Sequence, residues 1–193
     1  MDYRLQVATL DDCENVRALI GRSIRHLGSA DYTAEQIEAA LLGAFGLDTQ
    51  LISDGTYFVI LTPDNQLVGC GGWSRRRTLF GSDSRSERDD AWLNPATEAA
   101  KIRAFFIDPA HVRRGLGRRI LERCESEARD AGFQRLEMMA TLPGVRLYEA
   151  CGYTADPPIN YPLVDGLQIQ FVPMHKPMRQ AGPPRERGIS NQS

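Results

Sequence analysis

The chain has 193 residues, of which 42% are hydrophobic and 25% are charged, and its formal net charge at pH 7 is -2. These values are typical of one globular domain with a sizeable core, and they argue against a main partner that is a nucleic-acid backbone or an anionic membrane. The four cysteines lack metal-ligand spacing, and neither a secretory leader nor an apolar run of about 20 residues is evident, so we predict a cytoplasmic protein without a metal site.

The first part of the chain predicts a strand followed by two helices. Polar and apolar residues alternate over 3–9, as in a half-buried strand. Apolar residues at helical spacing over 10–27 predict a helix that Gly28 ends. Thr33 and Gln36 have the spacing of a capping box, so a second helix is predicted to begin there.

A β-hairpin is predicted next. Residues 56–62 and 66–73 are rich in β-formers, and a Pro-Asp-Asn turn separates them. The second run contains Gly69, Gly71 and Gly72. Glycines inside a strand indicate a bulge or a close approach of another part of the chain.

Two polar segments are predicted to lie outside the core. Residues 74–98 are rich in Ser, Arg and Asp and have no clear period, which indicates a surface insertion whose arginine run at 75–77 is solvated. Residues 177–193 are rich in Pro, Arg and Ser, which predicts a disordered tail. The globular domain is therefore predicted to span residues 1–176.

The second half of the chain contains a parallel crossover unit. A strand over 101–108 leads through a glycine turn into an amphipathic helix, and a second strand follows over 133–141. A short helix over 145–151 comes next, and a hairpin is predicted around the turn pair Asp165-Gly166. Because hairpins require antiparallel pairs, the whole order predicts one α/β domain with a mixed sheet.

The glycine turn lies within VRRGLGRRIL, residues 112–121. It lacks the lysine of a Walker loop and the third glycine of a dinucleotide fingerprint. Glycines at the start of a helix let an anion approach the free N–H groups of the first turn, and a diphosphate suits such a site. Nearby positive charge comes from Arg113, Arg114, Arg118 and Arg119. On its own the motif also fits a tight turn with solvated arginines.

The surroundings of the turn resemble a known family. FFIDPAHVRRGLGRRILERCESEARDAGF, followed by a strand and then LYEACGY, resembles the GNAT superfamily of CoA-dependent N-acyltransferases over about residues 100–155. The two family motifs correspond to Gly115-Leu116-Gly117 and to residues 147–153. The resemblance implies a single-domain GNAT-like fold, with a mixed, mostly antiparallel sheet of about six to seven strands and about four flanking helices.

The resemblance also implies acetyl-CoA as co-substrate and no metal. The residues expected to bind it are Phe105, Phe106 and Ile107 on a strand edge, and Val112, Arg113, Arg114, Gly115, Leu116, Gly117 and Arg118 in the turn. Val112 stands where the family usually has Arg or Gln, and Arg113 or Arg114 is expected to supply the missing charge. Thr141-Leu142-Pro143 stands where many relatives have an asparagine near the cofactor.

Tyr148 is the expected catalytic acid of the implied reaction. A phenol can protonate a leaving thiolate of comparable basicity, and the alternative for Tyr148 is a purely packing role. The base stays open among Glu98, Asp31, Tyr32, Glu137 and a chain of water molecules.

The implied activity is an acyl-CoA N-acyltransferase that transfers acetyl to a primary amine by direct attack. The acceptor, a small-molecule or peptide amine, stays open. One alternative is a non-catalytic CoA-binding sensor or interaction module, and another is a different acyl group, selected near residues 69–73. We predict no nucleic-acid or membrane partner, and a homodimer through the last hairpin or a sheet edge is one option.

Overall fold

A computed structural model describes residues 2–79, 83 and 89–178 of the chain. The helices are α1 (Cys13–Leu27), α2 (Ala34–Leu41), α3 (Thr49–Ser53), α4 (Leu116–Asp130) and α5 (Val145–Glu149). The strands are β1 (Arg4–Val7), β2 (Tyr57–Leu61), β3 (Leu67–Ser74), β4 (Ala100–Ile107), β5 (Arg135–Thr141), β6 (Thr154–Ala155), β7 (Ile159–Pro162) and β8 (Gln168–Pro177).

These strands form one mixed sheet. Its order is β1-β2-β3-β4-β5-β8-β6, and β7 also pairs with β8. Every pair is antiparallel except β4 with β5, which α4 connects as a crossover. The predicted α/β class with a mostly antiparallel sheet is confirmed. The described residues contain eight strands and five α-helices, more than the predicted six to seven strands and four helices. The sequence does not predict the five-residue α3 or the two-residue β6, because elements this short show no period.

The sheet has a hydrophobic core on each face. In β2, Phe58 and Ile60 belong to the cluster beneath α4, while Tyr57 and Val59 belong to the cluster beneath α1 and α2. This alternation follows from the two-residue period of a strand. The apolar stripe of α4 is buried as predicted, with Ile120 at its centre.

The predicted helix ends correspond to real caps. The hydroxyl of Thr33 accepts a hydrogen bond from the Gln36 amide at 3.2 Å, and the Gln36 side chain accepts one from the Thr33 amide at 2.9 Å. The capping box at α2 is therefore confirmed. Beyond α4, Gly132 has a φ of +91°, a conformation that favours glycine and that ends the helix. Among the described residues no helix is long and apolar enough to span a bilayer, and the cytoplasmic location stays a prediction.

The polar segment 74–98 is fixed to the domain at several points. The Arg76 guanidinium donates to the Asp54 carboxylate at 2.7 Å and stacks on the Trp92 ring at 4.3 Å from its centroid. For Arg76 the prediction of a solvated side chain is therefore wrong. Asp83 accepts a hydrogen bond from the Thr49 amide at the start of α3. Residues 80–82 and 84–88 lie outside the described residues.

The C-terminal boundary of the domain lies beyond the predicted one. Pro177 is the last residue of β8, and Met178 is buried while its amide donates to the Gln134 carbonyl at 2.8 Å. The predicted tail, which began at residue 177, therefore starts at least two residues too early. Its remaining residues, 179–193, lie outside the described part of the chain.

Candidate active site

The parallel strands β4 and β5 separate from one another in the middle of the sheet. They pair only at Ala100 with Leu136 and at Lys101 with Glu137. Beyond that point β4 stays paired with β3 as far as Ile107, and β5 stays paired with β8. The edge of β4 that faces β5 consequently has backbone groups without a strand partner, and a cleft opens there.

A β-bulge in β4 accompanies this separation. Gly72 pairs with Arg103 and Cys70 with Phe106, so one β3 residue lies opposite two residues of β4. Ala104, one of those two, has a φ of +55°. A Cβ atom at the intervening Gly71 would lie 2.7 Å from the Phe105 ring, and one at Gly72 would lie 2.6 Å from the Thr56 carbonyl oxygen. The predicted bulge or close approach at these glycines is thus confirmed.

Most of the side chains that line the cleft are apolar. Its volume is about 590 Å³ including its open mouth. Its aromatic walls are Phe45, Phe105, Phe106, Tyr148 and Phe171. Thioether groups come from Met138 and Met139. Among the described residues that line it, Arg103 is the one with a full charge at neutral pH.

Arg103 is neutralised inside the protein. Its guanidinium lies 2.6 Å from the Asp48 carboxylate, and both side chains are almost completely buried. Asp48 is also the N-cap of α3, since its carboxylate accepts a hydrogen bond from the Gln50 amide at 3.1 Å. Because a buried charge is stable only with a partner, this ion pair ties α3 to the floor of the cleft. It leaves the described part of the cleft wall without a net charge.

Tyr148 lies in the cleft wall on α5. Its ring is 8% exposed and makes edge contacts with Phe105, at 6.2 Å between centroids, and with Tyr153, at 6.0 Å. The hydroxyl has no hydrogen-bond partner among the described residues. Burial raises the pKa of Tyr148, so the phenol keeps its proton at neutral pH. An acid must be in that form before it can donate.

Tyr32 does not act as a free base. Its hydroxyl donates to the Gln170 carbonyl at 2.8 Å and accepts a hydrogen bond from the Leu142 amide at 2.8 Å. Burial raises its pKa to about 12. The hydroxyl therefore joins the end of β5 to β8, and this structural role accounts for both of its contacts.

The three carboxylates considered as bases also lie away from the cleft. Glu98 accepts a hydrogen bond from the Asn94 amide at 2.7 Å, ahead of β4. Glu137 forms an ion pair with Lys101 at the paired end of β4 and β5. Asp31 is exposed and is not part of the cleft wall. No carboxylate lines the cleft within the described ranges.

The glycine turn presents the start of α4 to solvent. Arg113 and Gly115 have φ values of +61° and +76°, and these two left-handed residues turn the chain from β4 into the helix. A Cβ atom at Gly115 would meet nothing within 4 Å, so the space above the turn is open. The amides of Leu116, Gly117 and Arg118 are in the first helical turn and have no acceptor within the helix. This geometry fits a diphosphate.

The remaining residues of the turn have different surroundings. Arg113 and Arg114 are exposed, while Val112 is half-buried and adds no charge. The Arg118 guanidinium donates to the Ala150 carbonyl at 3.2 Å, next to α5. A Cβ atom at Gly117 would lie 2.9 Å from Leu147, so this glycine also allows α5 to pack closely.

Sequence reasoning missed one residue at the turn, Tyr3. Its hydroxyl lies 3.0 Å from Nδ1 of His111 and accepts a hydrogen bond from Arg114 at 3.1 Å. Its carbonyl accepts a second hydrogen bond, from Arg119, at 2.7 Å. No local motif marks Tyr3, because its partners lie more than 100 residues along the chain.

Comparison with known proteins identifies a family and several structures of similar fold. The model of a family described as the acetyltransferase (GNAT) family matches residues 22–153. Comparison with curated protein sequences gives no match. A GCN5-related N-acetyltransferase from Rhodopseudomonas palustris is 18% identical, with a TM-score of 0.67 over 92% of this chain and 97% of that chain.

Two further solved structures are similar. The PaiA N-acetyltransferase of Thermoplasma acidophilum, in complex with coenzyme A, is 13% identical, with a TM-score of 0.62 over 92% of this chain and 99% of that chain. The ribosomal-protein-S18-alanine N-acetyltransferase of Escherichia coli is 16% identical, with a TM-score of 0.58 over 95% of this chain and 98% of that chain. At these identities the similarity is one of fold.

Proposed function

The chain belongs to the acetyltransferase (GNAT) family, and from this premise we propose that it transfers acetyl from acetyl-CoA directly to a primary amine. The observation that carries the proposal is the proximity of three features. The unpaired edge of β4 and the buried, protonated Tyr148 line one cleft. The open N-terminus of α4 packs against α5, the helix that carries Tyr148.

The two backbone features suit the two ends of coenzyme A. On the unpaired edge of β4, the backbone groups of Phe105 and Ile107 can hydrogen-bond the pantetheine amides as a further strand would, whereas Phe106 pairs with Cys70 of β3. The amides at the start of α4 can hold the diphosphate, and Arg113 and Arg114 are exposed beside them. These side chains provide the positive charge that Val112 lacks.

The chemistry then needs an oxyanion donor and an acid. The amine lone pair attacks the thioester carbonyl carbon, and the N–H of Phe105 at the bulge binds the oxygen as it gains negative charge. The carbon–sulfur bond breaks with its electron pair on sulfur, and the Tyr148 phenol donates its proton to that sulfur. Solvent returns a proton to Tyr148, and water accepts the proton that the amine loses.

The first test is binding and turnover with the wild-type chain. We expect micromolar binding of acetyl-CoA by calorimetry, and release of free thiol when an amine is added. A CoA-binding module would bind without releasing thiol in the presence of any amine of a broad panel. Donors with acetyl, succinyl and octanoyl groups, compared at fixed amine concentration, test the acyl preference. Failure to bind any of them would contradict the proposal as a whole.

We also propose an acceptor class, an amine with one positive charge on an apolar alkyl or aryl body. The acceptor side of the cleft contains Phe45, Met139 and Phe171, and Asp48 already neutralises Arg103. A second ammonium group would be buried there without a partner among the described residues, which is unfavourable by several kcal/mol. Such an acceptor therefore needs a neutral, hydrophobic body.

A comparison of amines tests this acceptor class. We expect kcat/KM for 2-phenylethylamine to exceed that for spermidine by at least about tenfold. The measurement is thiol release at saturating acetyl-CoA. Met139→Glu should reduce the ratio of the two kcat/KM values because it adds a carboxylate to the cleft. The isosteric Met139→Gln should leave this ratio unchanged. A wild-type preference for spermidine would overturn the assignment.

Tyr3 gives a smaller, separate prediction about the coenzyme site. Tyr3→Phe removes the hydroxyl that binds Arg114, so the guanidinium beside the diphosphate loses one anchor. We expect the Kd of coenzyme A to rise about threefold to fivefold, the value of one modest hydrogen bond. Calorimetry measures it, and thermal unfolding shows whether β1 stays in place. An unchanged Kd would mean that the hydrogen bond from Arg114 to Tyr3 does not contribute to coenzyme binding.

A further inference from the structure

The bulge residue Ala104 has a backbone conformation that needs support. A φ of +55° is uncommon for a residue with a Cβ atom, and such residues persist where their surroundings hold them. Ala104 is also next to Phe105, whose N–H is the proposed oxyanion donor. Whatever fixes the peptide between these two residues therefore fixes the direction of that N–H.

Tyr57 makes a contact that can fix the Ala104–Phe105 peptide. Its hydroxyl donates to the Ala104 carbonyl at 3.0 Å, and its side chain is completely buried. A Cβ atom at Gly72 would lie 2.7 Å from the Tyr57 ring, so the ring is packed tightly against β3. The Cys70 thiol lies 4.0 Å from the same carbonyl and is the weaker donor. Burial raises the pKa of Tyr57, so its hydroxyl stays protonated.

The direction of the peptide follows from the contact with Tyr57. Tyr57 belongs to β2, and β2 and β5 lie on opposite sides of β4. The described residues contain no cis peptide bond, so the carbonyl of Ala104 and the N–H of Phe105 point in opposite directions. With the carbonyl held by Tyr57, which packs in the core on the α1 and α2 face of the sheet, the N–H points away from that contact. For acyl transfer this N–H has to face the opening between β4 and β5.

We propose that Tyr57 is a positioning residue for acyl transfer, whose hydroxyl holds the Ala104–Phe105 peptide so that its N–H meets the thioester oxygen. This inference rests on the proposed function. Tyr57 does not touch the substrates, because it lies two strands away from the cleft. Nothing in the sequence distinguishes it from its apolar neighbours in β2, since the contact depends on a bulge almost fifty residues further along.

Tyr57→Phe removes the hydroxyl and keeps the ring. We expect kcat to fall about tenfold, because a donor that is less firmly held stabilises the developing oxyanion less well. The Kd of acetyl-CoA and the KM of the amine should stay within about twofold, since the charge on the oxygen develops only in the transition state. A purely structural role would lower the melting temperature and leave kcat per folded molecule unchanged.

A second readout does not depend on turnover. The carbonyl stretch of carbon-13-labelled acetyl-CoA, measured by difference infrared spectroscopy, should lie at lower frequency when bound to the wild type than when free. In Tyr57→Phe it should return toward the free value, because the hydrogen bond to the thioester oxygen weakens. An unchanged bound frequency in the variant would overturn the role of Tyr57 even if no amine is turned over. Absence of binding to the wild type would instead overturn the proposed function, and the role of Tyr57 with it.

Tyr32→Phe is the matched control. Tyr32 is also buried, and its hydroxyl also donates to a backbone carbonyl, that of Gln170 in β8. We expect a comparable loss of thermal stability, with kcat and the bound carbonyl frequency retained. If Tyr32→Phe lowers kcat as much as Tyr57→Phe does, general loosening of the domain explains both results and the proposal fails.

Discussion

Replacement of Tyr148 by phenylalanine is expected to lower kcat by about 100-fold, at the lower end of the usual contribution of an acid catalyst. The ring would keep its edge contacts with Phe105 and Tyr153, so the cleft wall should keep its shape. Because the hydroxyl has no hydrogen-bond partner among the described residues, its removal leaves no buried donor or acceptor unsatisfied. The Kd of acetyl-CoA should therefore stay within about twofold of the wild-type value.

The measurement combines steady-state thiol release with calorimetry on the same preparations. Tyr32→Phe controls for the loss of a buried tyrosine hydroxyl elsewhere in the domain. An unchanged kcat in Tyr148→Phe would show that Tyr148 only packs, which is the alternative that the sequence leaves open. A large rise in the Kd of acetyl-CoA would show instead that the hydroxyl binds the coenzyme.

The pH dependence of the wild type gives a related expectation. Burial raises the pKa of Tyr148, so the fraction of protonated phenol stays close to one up to at least the ordinary phenol value of about 10. The direction follows from desolvation, which disfavours the charged phenolate. Deprotonation of Tyr148 should therefore cause no loss of kcat between pH 6 and about pH 9. A fall in that interval that disappears in Tyr148→Phe would contradict this assignment.

The parts of the fold that the sequence predicts well are those set by short-range patterns. The stripe of α4, the capping box at Thr33 and the turn before β8 each depend on residues within a few positions of one another. Hydrophobic periodicity and capping chemistry operate over that range. For the same reason the glycine turn before α4 can be recognised from the amino-acid sequence, while the catalytic role of Tyr148, which the family resemblance implies, stays a prediction.

The parts that the sequence does not predict depend on contacts between distant residues. Asp48 and Arg103 form a buried pair across 55 positions, and Tyr57 supports Ala104 across 47. Each looks like an ordinary loop or strand residue in its own segment. At the bulge, Ala104 has a positive φ, which an alanine in the sequence does not predict. The glycines of β3 are the sequence signal that indicates an irregularity there. The separation of β4 from β5 follows from this bulge and from the different partners of the two strands.

The diphosphate site allows a sharp comparison of two variants at Gly117, in the first turn of α4. Gly117→Glu and Gly117→Gln both place a Cβ atom 2.9 Å from Leu147, at the movable end of that side chain. The two variants should therefore disturb the packing of α5 to the same extent. They differ in one negative charge, placed where the phosphate groups of the coenzyme are proposed to lie.

That charge should separate the two variants by about 100-fold in the Kd of coenzyme A. Two like charges about 4 Å apart near a protein surface repel by about 4 kcal/mol, and screening by salt reduces this to the expected effect. Calorimetric titration of coenzyme A, desulfo-coenzyme A and ADP measures the difference. Raising the ionic strength should reduce the difference between the Kd values of the two variants.

Without coenzyme, the Gly117→Glu variant should be at least as stable as Gly117→Gln, although it binds coenzyme A more weakly. Unfolding of Gly117→Glu would then be excluded as the cause of its weak binding. A glutamate in the first turn of a helix interacts favourably with the helix dipole, so Gly117→Glu should melt no lower than Gly117→Gln. One substitution would then weaken the anion complex without weakening the fold, and only an anion site at the start of α4 produces both effects. Equal Kd values for the two variants would mean that the glycine turn serves chain geometry alone, and that the coenzyme phosphates lie elsewhere.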